Sequence, residues 1–505
     1  MTYSNPMSAK LGLLDDDLKM EGKLIRLCAD LESKILTPVA DVPWQWHVQR
    51  ADMTAEAALG DNWRNWEQFG PHSVWAKKQG HTWFAAEVTV PEAARGKTFV
   101  LKFTSQWQDR PGSTDPQCLA YLDGKIAQAL DGNHTELVIE RKARPGSKHT
   151  LMVNAFTFFD RPLVGFTVDF YTRSERAEKL YWDLQTPLDV ALRLHQNDPR
   201  RQAILGIIDR ALRALDRRDG FTPQFEASLG AAEKIAAEIY AIVDTETQPQ
   251  ITAVGSTHLD VGWLWRVIHT RDKTARSFAT VLNLMEEYPE FIFMYNQSVL
   301  FDFLKQDYPE LWERMLKKVK SGQFEIEGAM WVEPDVNIVS GESLVRQIMR
   351  GRRFHIEHFG VTPKTVWLPD TFGYSANMPQ ILARSGLEYF VTSKLSWNDT
   401  DRHPYDSFHW RGIDGTVTKA QLITAQKYDS EQIYTTYNGD LSVSETMGAW
   451  KRYEPKAVHN EVVMSYGYGD GGGGPTRGMI ERGIRLERGI PGAPRVKLEG
   501  IVPFL

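Results

Sequence analysis

The second half of the chain alternates short apolar runs with amphipathic segments, and this pattern restricts its fold more than any other feature. From residue 249 onward, strand-length runs such as ITAVGSTH, FIFMYNQ, FEIEGAMW, TVWLPDTFG and YFVTSK are each followed by apolar residues at helical spacing. Strand followed by helix, repeated, predicts an α/β domain with a mainly parallel sheet, closed or open, over residues 249–505. In such sheets ligands bind at the carboxyl ends of the strands.

The first half has a different pattern. The segments WFAAEVTVP, KTFVLKFTSQW, CLAYLDGK, TELVIERKA and KHTLMVNAFTFF are short and alternating, with turns such as Pro145-Gly146 between them, and predict an all-β sandwich within residues 1–175. Residues 176–248 carry apolar residues at helical spacing on both sides of the turn Asp219-Gly220, which predicts a helical linker. A chain of 505 residues is long enough for these two or three domains.

Charge and cysteine content narrow the class of protein. The formal charge of −6 gives no electrostatic reason to expect nucleic acid or anionic lipid as a partner, which favours neutral small molecules or proteins. Cys28 and Cys118 are too few for a disulfide framework and have no CxxC spacing. No apolar segment has the length of a signal-peptide core or of a membrane span of ~18 residues. We therefore expect a cytoplasmic protein.

Acidic side chains follow several of the predicted strands. His258 and Asp260 come directly after ITAVGSTH, and the period of two in a strand directs both to one face. An imidazole and a carboxylate there make half of a site for Zn²⁺ or a similar divalent ion, although a hydrogen-bonded His-Asp pair without metal has the same spacing. Asp370 follows TVWLP, and Trp331, Glu333 and Asp335 follow FEIEGAM. Each acid alone fits a helix cap or a solvated turn, but three strand ends of this kind favour a site.

Three other features have simple structural interpretations. His355 and His358 have a metal-like spacing, but they lie in an amphipathic helix and are expected to pack or face solvent. The glycines 471–474 lack the lysine of a phosphate loop and are expected to let the backbone approach a sugar closely. Many of the sixteen tryptophans fall in short polar contexts, where they either fill a core or stack on sugar rings: Trp44, Trp46, Trp63, Trp66, Trp75, Trp83 and Trp107.

The segments GSTHLDVGWLW, GAMWVEPDVNIVSGESLVRQ, VWLPDTFGYSANMPQI and YGYGDGGGGPT occur in this order between residues 250 and 478. They resemble the successive motifs of glycoside hydrolase family 38 α-mannosidases, in the cytosolic branch that has a β-sandwich ahead of the catalytic domain. The resemblance implies a seven-stranded β/α barrel-like catalytic domain and a retaining exo-α-mannosidase. Its substrate would be a terminal α-mannosyl residue of a free oligosaccharide or glycan, and a homo-oligomer would be compatible with it.

The resemblance also implies a role for each motif residue. A single zinc ion, or another divalent ion such as cobalt, would bind the 2- and 3-hydroxyls of mannose. His258 and Asp260 would be metal ligands, and Asp370 would be both a ligand and the catalytic nucleophile. The remaining residues would bind the substrate: Trp263, Trp331 and Phe372 by lining the sugar subsite, Lys394 as the basic residue near the nucleophile, and Asp470 by hydrogen bonding to the sugar.

One departure from the family pattern concerns the end of the chain. The family has a further zinc ligand, a histidine in a His-Asp motif of a downstream helical domain, and this chain contains no His-Asp dipeptide. We therefore expect a chain truncated at its carboxyl end, with the usual acid/base beyond Leu505 and Asp470 as the candidate acid within it. The alternatives are a metal-dependent deacetylase or amidohydrolase, which also places an HxD motif at a strand end, and a non-catalytic carbohydrate-binding protein.

Overall fold

The computed structural model describes residues 19–70, 73–75, 80–104, 116–158, 167–218, 222–244, 247–401, 403–431 and 434–505. The turn predicted at Asp219-Gly220 and the tryptophan at position 107 lie outside these residues. The chain divides into two compact units. One unit comprises Met1–Thr37, Arg173–Gln248 and Arg488–Ala493, as far as they are described, and the other comprises Pro38–Thr172, Pro249–Glu487 and Pro494–Leu505.

The first unit is helical. Its helices are α1 (Lys19–Glu32), α3 (Glu175–Ala191), α4 (Pro199–Arg213) and α5 (Pro223–Ala236), while the short α2 (Ala55–Gly60) belongs to the second unit. The side chains of Ser174, Asp198 and Thr222 each accept a hydrogen bond from an amide of the first turn, which satisfies a donor that the helix itself leaves without an acceptor. The predicted helical segment is confirmed, with α1 from the start of the chain added to it.

The second unit begins with two antiparallel sheets, as predicted. Their strands are β2 (His47–Gln49), β3 (Glu67–Gln68), β4 (Gly80–Thr89), β5 (Thr98–Thr104), β6 (Gln117–Leu122), β7 (Lys125–Leu130), β8 (Glu136–Glu140), β9 (Lys148–Thr157) and β10 (Thr167–Arg173), while most of the short β1 (Leu36–Pro38) belongs to the first unit. One sheet has the order β3-β2-β4-β9-β6-β7, and β10, β5 and β8 are neighbours in the other. Alternate side chains such as Phe84 and Ala86 on β4 and Phe99 and Leu101 on β5 share one apolar core.

The tryptophans of this region fill the core. Five of them are 9% exposed or less, and Trp44 is partly buried against the same cluster. The five buried side chains are Trp46, Trp63, Trp66, Trp75 and Trp83. Packing, and not sugar stacking, therefore accounts for these residues.

Parallel strands form the rest of the second unit, which confirms the predicted α/β region. The strands are β11 (Gln250–Gly255), β12 (Phe293–Tyr295), β13 (Phe324–Ile326), β14 (Thr365–Leu368), β15 (Tyr389–Thr392), β16 (Ser407–Arg411), β17 (Val417–Leu422), β18 (Glu461–Tyr466) and β19 (Arg495–Leu498). One sheet has the order β13-β12-β11-β18, with β19 also paired to β11, and all of its pairs are parallel. The other has the order β14-β15-β17-β16, in which only β16 is antiparallel.

Helices connect these strands and cover them. They are α6 (Val267–Glu287), α7 (Ser298–Asp307), α8 (Pro309–Ser321), α9 (Gly341–Phe359), α10 (Met378–Arg384), α11 (Val443–Arg452) and α12 (Arg477–Arg488). Two backbone hydrogen bonds connect the two parallel sheets. Ala329 N, after β13, donates to Thr365 O on β14 (3.0 Å), and Thr424 N, after β17, donates to Val463 O on β18 (3.1 Å). In the described part of the chain, no helix combines the length and apolar character needed to cross a membrane.

Candidate active site at the carboxyl ends of the parallel strands

The predicted acidic residues meet at one edge of the parallel sheets. His258 and Asp260 follow β11, Glu333 follows β13, Asp370 follows β14 and Asp470 follows β18. Parallel strands place their carboxyl ends at the same edge, so residues more than 200 positions apart in sequence become neighbours. The alternation of strands and helices therefore brings these side chains together.

His258 lies at the centre of this group and is 7% exposed. Its Nε2 atom is 3.3 Å from Asp260 Oδ1 and 3.7 Å from Asp370 Oδ2, and its Nδ1 atom is 3.3 Å from Glu333 Oε2. Burial alone would lower the pKa of His258, but the carboxylates of Glu333 and Asp260 outweigh it and hold the pKa well above the usual value. The surroundings of this imidazole thus strongly favour positive charge.

The donor atoms fit a divalent metal ion. Among the described residues, His258, Asp260 and Asp470 offer one imidazole nitrogen and two carboxylate oxygens that all lie within 4.8 Å of one another. Two ligands of a tetrahedral zinc ion at ordinary bond lengths are about 3.4 Å apart, and the separation of His258 Nε2 and Asp260 Oδ1 is 3.3 Å. The chain therefore has a His/Asp cluster with the composition and spacing of a metal site, and its third member is Asp470. The predicted ligand Asp370 lies 3.7 Å from His258 Nε2 but is not a member of this group.

Asp370 is paired with Lys394. The Lys394 ammonium is 2.6 Å from Asp370 Oδ1, and its side chain is only 6% exposed. The same ammonium lies 4.6 Å from the ring centroid of Phe372, 4.0 Å from that of Trp397 and 5.3 Å from that of Tyr437. Aromatic faces stabilise a cation that has lost part of its hydration, so these rings favour a charged Lys394 ammonium next to Asp370.

Asp470 is held by two residues of the segment before α11. Tyr437 Oη donates to Asp470 Oδ1 (3.0 Å) and Asn438 Nδ2 donates to Oδ2 (3.1 Å). Desolvation, with smaller contributions from the carboxylates of Asp260 and Asp370, raises the pKa of Asp470, against the opposing effects of His258 and Tyr437. Desolvation, together with the carboxylates of Asp470 and Asp370, raises the pKa of Tyr437, so both carboxylates lie near this phenol.

The predicted aromatic residues occupy different surroundings. Trp263 and Phe372 are 58% and 73% exposed, and the Trp263 ring contacts Trp265 edge to face. Trp331 instead packs on α9, with Arg350 over its ring at 3.9 Å and the Phe354 ring at 5.8 Å. The structure thus leaves Trp263 and Phe372 accessible to a ligand, whereas the contacts of Trp331 are those of a residue packed on a helix.

Several site residues were missed by the sequence analysis. Asn296 and Gln297 follow β12 and carry the same signal of polar residues at a strand end. Asn296 donates to Glu333 Oε1 (2.8 Å), and Gln297 donates to the carbonyl of Leu259 (2.8 Å) and accepts a hydrogen bond from Glu333 N (3.2 Å). Tyr437 and Asn438 follow no strand directly, so no strand-end pattern marks them.

The other histidines in a metal-like spacing lie elsewhere. The His355 side chain is fully buried and its Nε2 atom is 2.9 Å from Ser298 Oγ, while His358 contacts Phe354 and Trp312 on neighbouring turns and helices. Burial lowers the pKa of His355 to about 3, which agrees with a neutral packing residue.

Comparisons with known proteins identify the family of the chain. A family model described as the glycosyl hydrolases family 38 N-terminal domain matches residues 248–505, slightly more than half of the chain. The chain therefore belongs to glycosyl hydrolase family 38.

Relatives extend the match into the first half. Alpha-mannosidase G of Dictyostelium discoideum is 35% identical over 450 residues, which cover 87% of this chain and 39% of that protein. Alpha-mannosidase 2C1 of Homo sapiens is 31% identical over 506 residues, which cover 95% of this chain and 44% of that protein. The crystal structure of an alpha-mannosidase from Enterococcus faecalis V583 has a TM-score of 0.43 and 20% identity, over 51% of this chain and 29% of that one. The chain thus spans about two fifths of the length of these curated relatives.

Proposed function

We propose that this chain carries the zinc-dependent catalytic domain of a retaining exo-α-mannosidase that hydrolyses terminal α-mannosyl residues of free oligosaccharides or glycans. The observation that carries the proposal is the convergence of His258, Asp260, Asp370 and Asp470 at the carboxyl ends of the strands, in a chain of family 38. Glycosidases need two carboxyl groups on either side of the scissile bond, and we assign Asp370 and Asp470 to these roles.

Asp370 is proposed as the nucleophile. A carboxylate oxygen of Asp370 would bond to the anomeric carbon as the glycosidic C–O bond breaks, and water would then hydrolyse the resulting ester. The ammonium of Lys394, 2.6 Å away, fixes one oxygen of this carboxylate and balances its charge. Tyr437 Oη donates to Asp470 Oδ1 (3.0 Å), and the Tyr437 ring centroid lies 5.3 Å from the Lys394 ammonium that pairs with Asp370. This supports the nearness of the two carboxylates that a retaining enzyme requires.

Asp470 is proposed to bind a sugar hydroxyl and, within this chain, to be the candidate proton donor to the leaving oxygen. Asp470 is an exposed residue whose carboxyl accepts hydrogen bonds from Tyr437 and Asn438, so it is both fixed and accessible. Trp263 and Phe372 would line the sugar subsite, because their exposed rings flank the loops of Asp260 and Asp370. Trp331 remains a weaker candidate for that wall, since α9 already occupies one face of its ring.

The metal would be held by His258 and Asp260, with Asp370 or Asp470 as a further ligand. When bound, zinc or cobalt would supply the positive charge that binds two adjacent sugar hydroxyls.

The proposal also includes the domain organisation: a catalytic domain over residues 249–505 that closes into a seven-stranded barrel-like fold, a sandwich segment over residues 1–175 and a helical linker over residues 176–248. This closure is supported by the two backbone hydrogen bonds that connect the parallel sheets, from β13 to β14 and from β17 to β18. A cytoplasmic setting is supported by Cys28 and Cys118, neither of which forms a disulfide. Self-association stays a prediction.

The test combines metal content with turnover. Purified wild-type protein should retain about one zinc or cobalt ion, and Asp260→Asn and His258→Ala should lose it while keeping the native circular dichroism spectrum. Asp335→Asn is the matched control, because Asp335 also follows β13 but only caps the turn at Asn337 and Ile338. The metal content of Asp370→Asn and of Asp470→Asn is then compared, and the variant that loses more metal identifies the further ligand.

Turnover is measured with p-nitrophenyl α-mannoside, and the anomer of the first product is identified by NMR. An α product supports the retaining mechanism. Release of acetate from an acetylated sugar would instead indicate a deacetylase, and mannoside binding without turnover in a protein loaded with metal would indicate a carbohydrate-binding protein. Unchanged metal content in both His258→Ala and Asp260→Asn would exclude the assigned metal site.

A further inference from the structure

The amino-terminal sandwich contacts the loop that carries Asp470. We define the sandwich loop as residues 131–134, between β7 and β8, and the glycine loop as residues 467–475, between β18 and α12. Asn133 Nδ2 donates to the carbonyl of Gly472 (2.9 Å), and His134 Nε2 lies 3.1 Å from the carbonyl of Pro475. These contacts join side chains of the sandwich to the backbone of the glycine loop about 340 positions later.

The sandwich loop is itself rigidly held. Asp131 Oδ1 accepts hydrogen bonds from the backbone amides of Asn133 (2.8 Å) and His134 (2.9 Å), and it lies 3.1 Å from His134 Nδ1. The side chains of Asp131 and His134 are each only 5% exposed. Both ring nitrogens of His134 therefore face acceptors, a carboxylate on one side and a carbonyl on the other, and the imidazolium form satisfies both.

The glycine loop needs an external support of this kind. Asp470 has a left-handed backbone with φ +54°, and Gly471, Gly473 and Gly474 also have positive φ values. Glycine-rich backbone is conformationally free, and a non-glycine residue in a left-handed conformation is retained only where its surroundings determine it. Within the loop, Tyr468 and Gly474 exchange two backbone hydrogen bonds, but Gly472 O and Pro475 O are bonded from the sandwich.

A second contact connects the sandwich to the segment that follows Asp260. Gln117 Oε1, on β6, accepts hydrogen bonds from Lys273 Nζ (2.9 Å) and from Arg276, both on α6. Lys273 Nζ lies 4.4 Å from the ring centroid of Trp265, and Trp265 Nε1 donates to the carbonyl of Asp260 (3.3 Å). The sandwich thus contacts the loop that carries Asp470 and, through Lys273 and Trp265, the segment that carries Asp260. Asp260 and Asp470 are two of the three residues of the His/Asp cluster.

From these contacts we infer that the sandwich loop is part of the catalytic machinery: Asn133 and His134 are positioning residues that fix the backbone of the glycine loop and so hold Asp470 at the site. The role of Asp470 in this inference rests on the proposed function, whereas the contact between the loops does not. The sandwich would then be required for a competent site and not only for folding or solubility.

The experiment measures hydrogen exchange by mass spectrometry in peptides covering residues 467–475, with peptides from β4 and β9 as internal references. The variants are Asn133→Ala, His134→Ala and His134→Gln, whose amide can still donate to Pro475 O. The matched control is His149→Ala, because both ring nitrogens of His149 also face oxygen atoms, those of Asp123 (2.8 Å) and Glu140 (3.2 Å), but both of these partners belong to the sandwich.

We expect Asn133→Ala and His134→Ala to speed exchange in the glycine loop at least about fivefold, the equivalent of one hydrogen bond, with the reference peptides unchanged. His134→Gln should restore part of the protection, and His149→Ala should leave the loop as in the wild type. Unchanged exchange in both Asn133→Ala and His134→Ala, or an equal rise throughout the sandwich, would overturn the inference.

Kinetics give a second readout on p-nitrophenyl α-mannoside. Displacement of Asp470 should lower kcat about tenfold or more in Asn133→Ala with little change in KM, because a positioning defect acts mainly on the transition state. An unchanged kcat in a variant whose loop exchanges faster would refute the positioning role. Absence of turnover in the wild type would count against the proposed function, and the exchange data would still decide whether the sandwich holds the loop.

Discussion

Gly467→Ala tests whether the carboxyl ends of β11 and β18 must approach each other as closely as the structure has them. Gly467 has φ +131°, a conformation that is almost restricted to glycine, and a Cβ atom there would meet the carbonyl oxygen of Ser256 and lie 2.8 Å from Pro475 Cδ. Ser256 precedes His258 by two residues and Gly467 precedes Asp470 by three. The methyl group would therefore separate the two strand ends that carry the metal-like cluster.

The expected destabilisation follows from two contributions. An unfavourable backbone conformation costs about 1–3 kcal/mol, and an extra methyl group against fixed backbone atoms costs about another 1–3 kcal/mol. Gly373→Ala is the control, because Gly373 has a similar φ of +123° but a Cβ there would meet only the movable amide of Asn337. Gly467→Ala should therefore lose about 2–6 kcal/mol and Gly373→Ala about 1–3 kcal/mol.

Urea denaturation followed by tryptophan fluorescence measures both variants, and metal content is determined on the folded protein. We expect Gly467→Ala to be the less stable of the two by about 1–3 kcal/mol and to retain less metal. Equal midpoints within about 0.5 kcal/mol, on the scale of a surface substitution, would show that the strand ends have room to move. The reasoning on crowding at Ser256 would then be wrong.

Three further predictions concern the charged groups. Asp370→Asn should lose almost all mannoside turnover while mannose binding, measured by calorimetry, persists; full turnover would exclude Asp370 as nucleophile. Lys394→Met should destabilise the protein by about 3 kcal/mol because it removes the ammonium that lies 2.6 Å from the Asp370 carboxylate, and a double-mutant cycle with Asp370→Asn should give a coupling energy of at least about 1 kcal/mol. Burial raises the pKa of Glu325 to about 7 from 4.5, so its contribution to stability is greatest below pH 4.5 and is lost as the pH rises through 7. Wild-type stability in urea should fall between pH 5 and pH 8 by at most about 3 kcal/mol from this group, and an equal fall in Glu325→Gln would contradict the assignment.

The pattern of apolar runs predicted most elements that position the site. The run ITAVGSTH became β11, and the runs in FIFMYNQ, TVWLPDTFG and YFVTSK became β12, β14 and β15. The antiparallel pair β16–β17 was not predicted, because its alternation of partly exposed and buried residues lies among turns and carries a weaker signal. His258, Asp260 and Asp370 were found because a polar residue that directly follows a buried strand is a local feature of the sequence.

The sequence by itself determined which residues end the strands, because strand period, turn residues and apolar runs are properties of neighbouring positions. Only the tertiary structure decided which of those ends meet. Glu333 contacts His258 across a separation of 75 positions, and Lys394 forms an ion pair with Asp370. Asp470 lies in the cluster and accepts hydrogen bonds from Tyr437 and Asn438. The contact of His134 with Pro475 depends on how a sandwich packs against α6. Such pairings arise from strand order and packing between distant segments, and no pattern along one segment contains them.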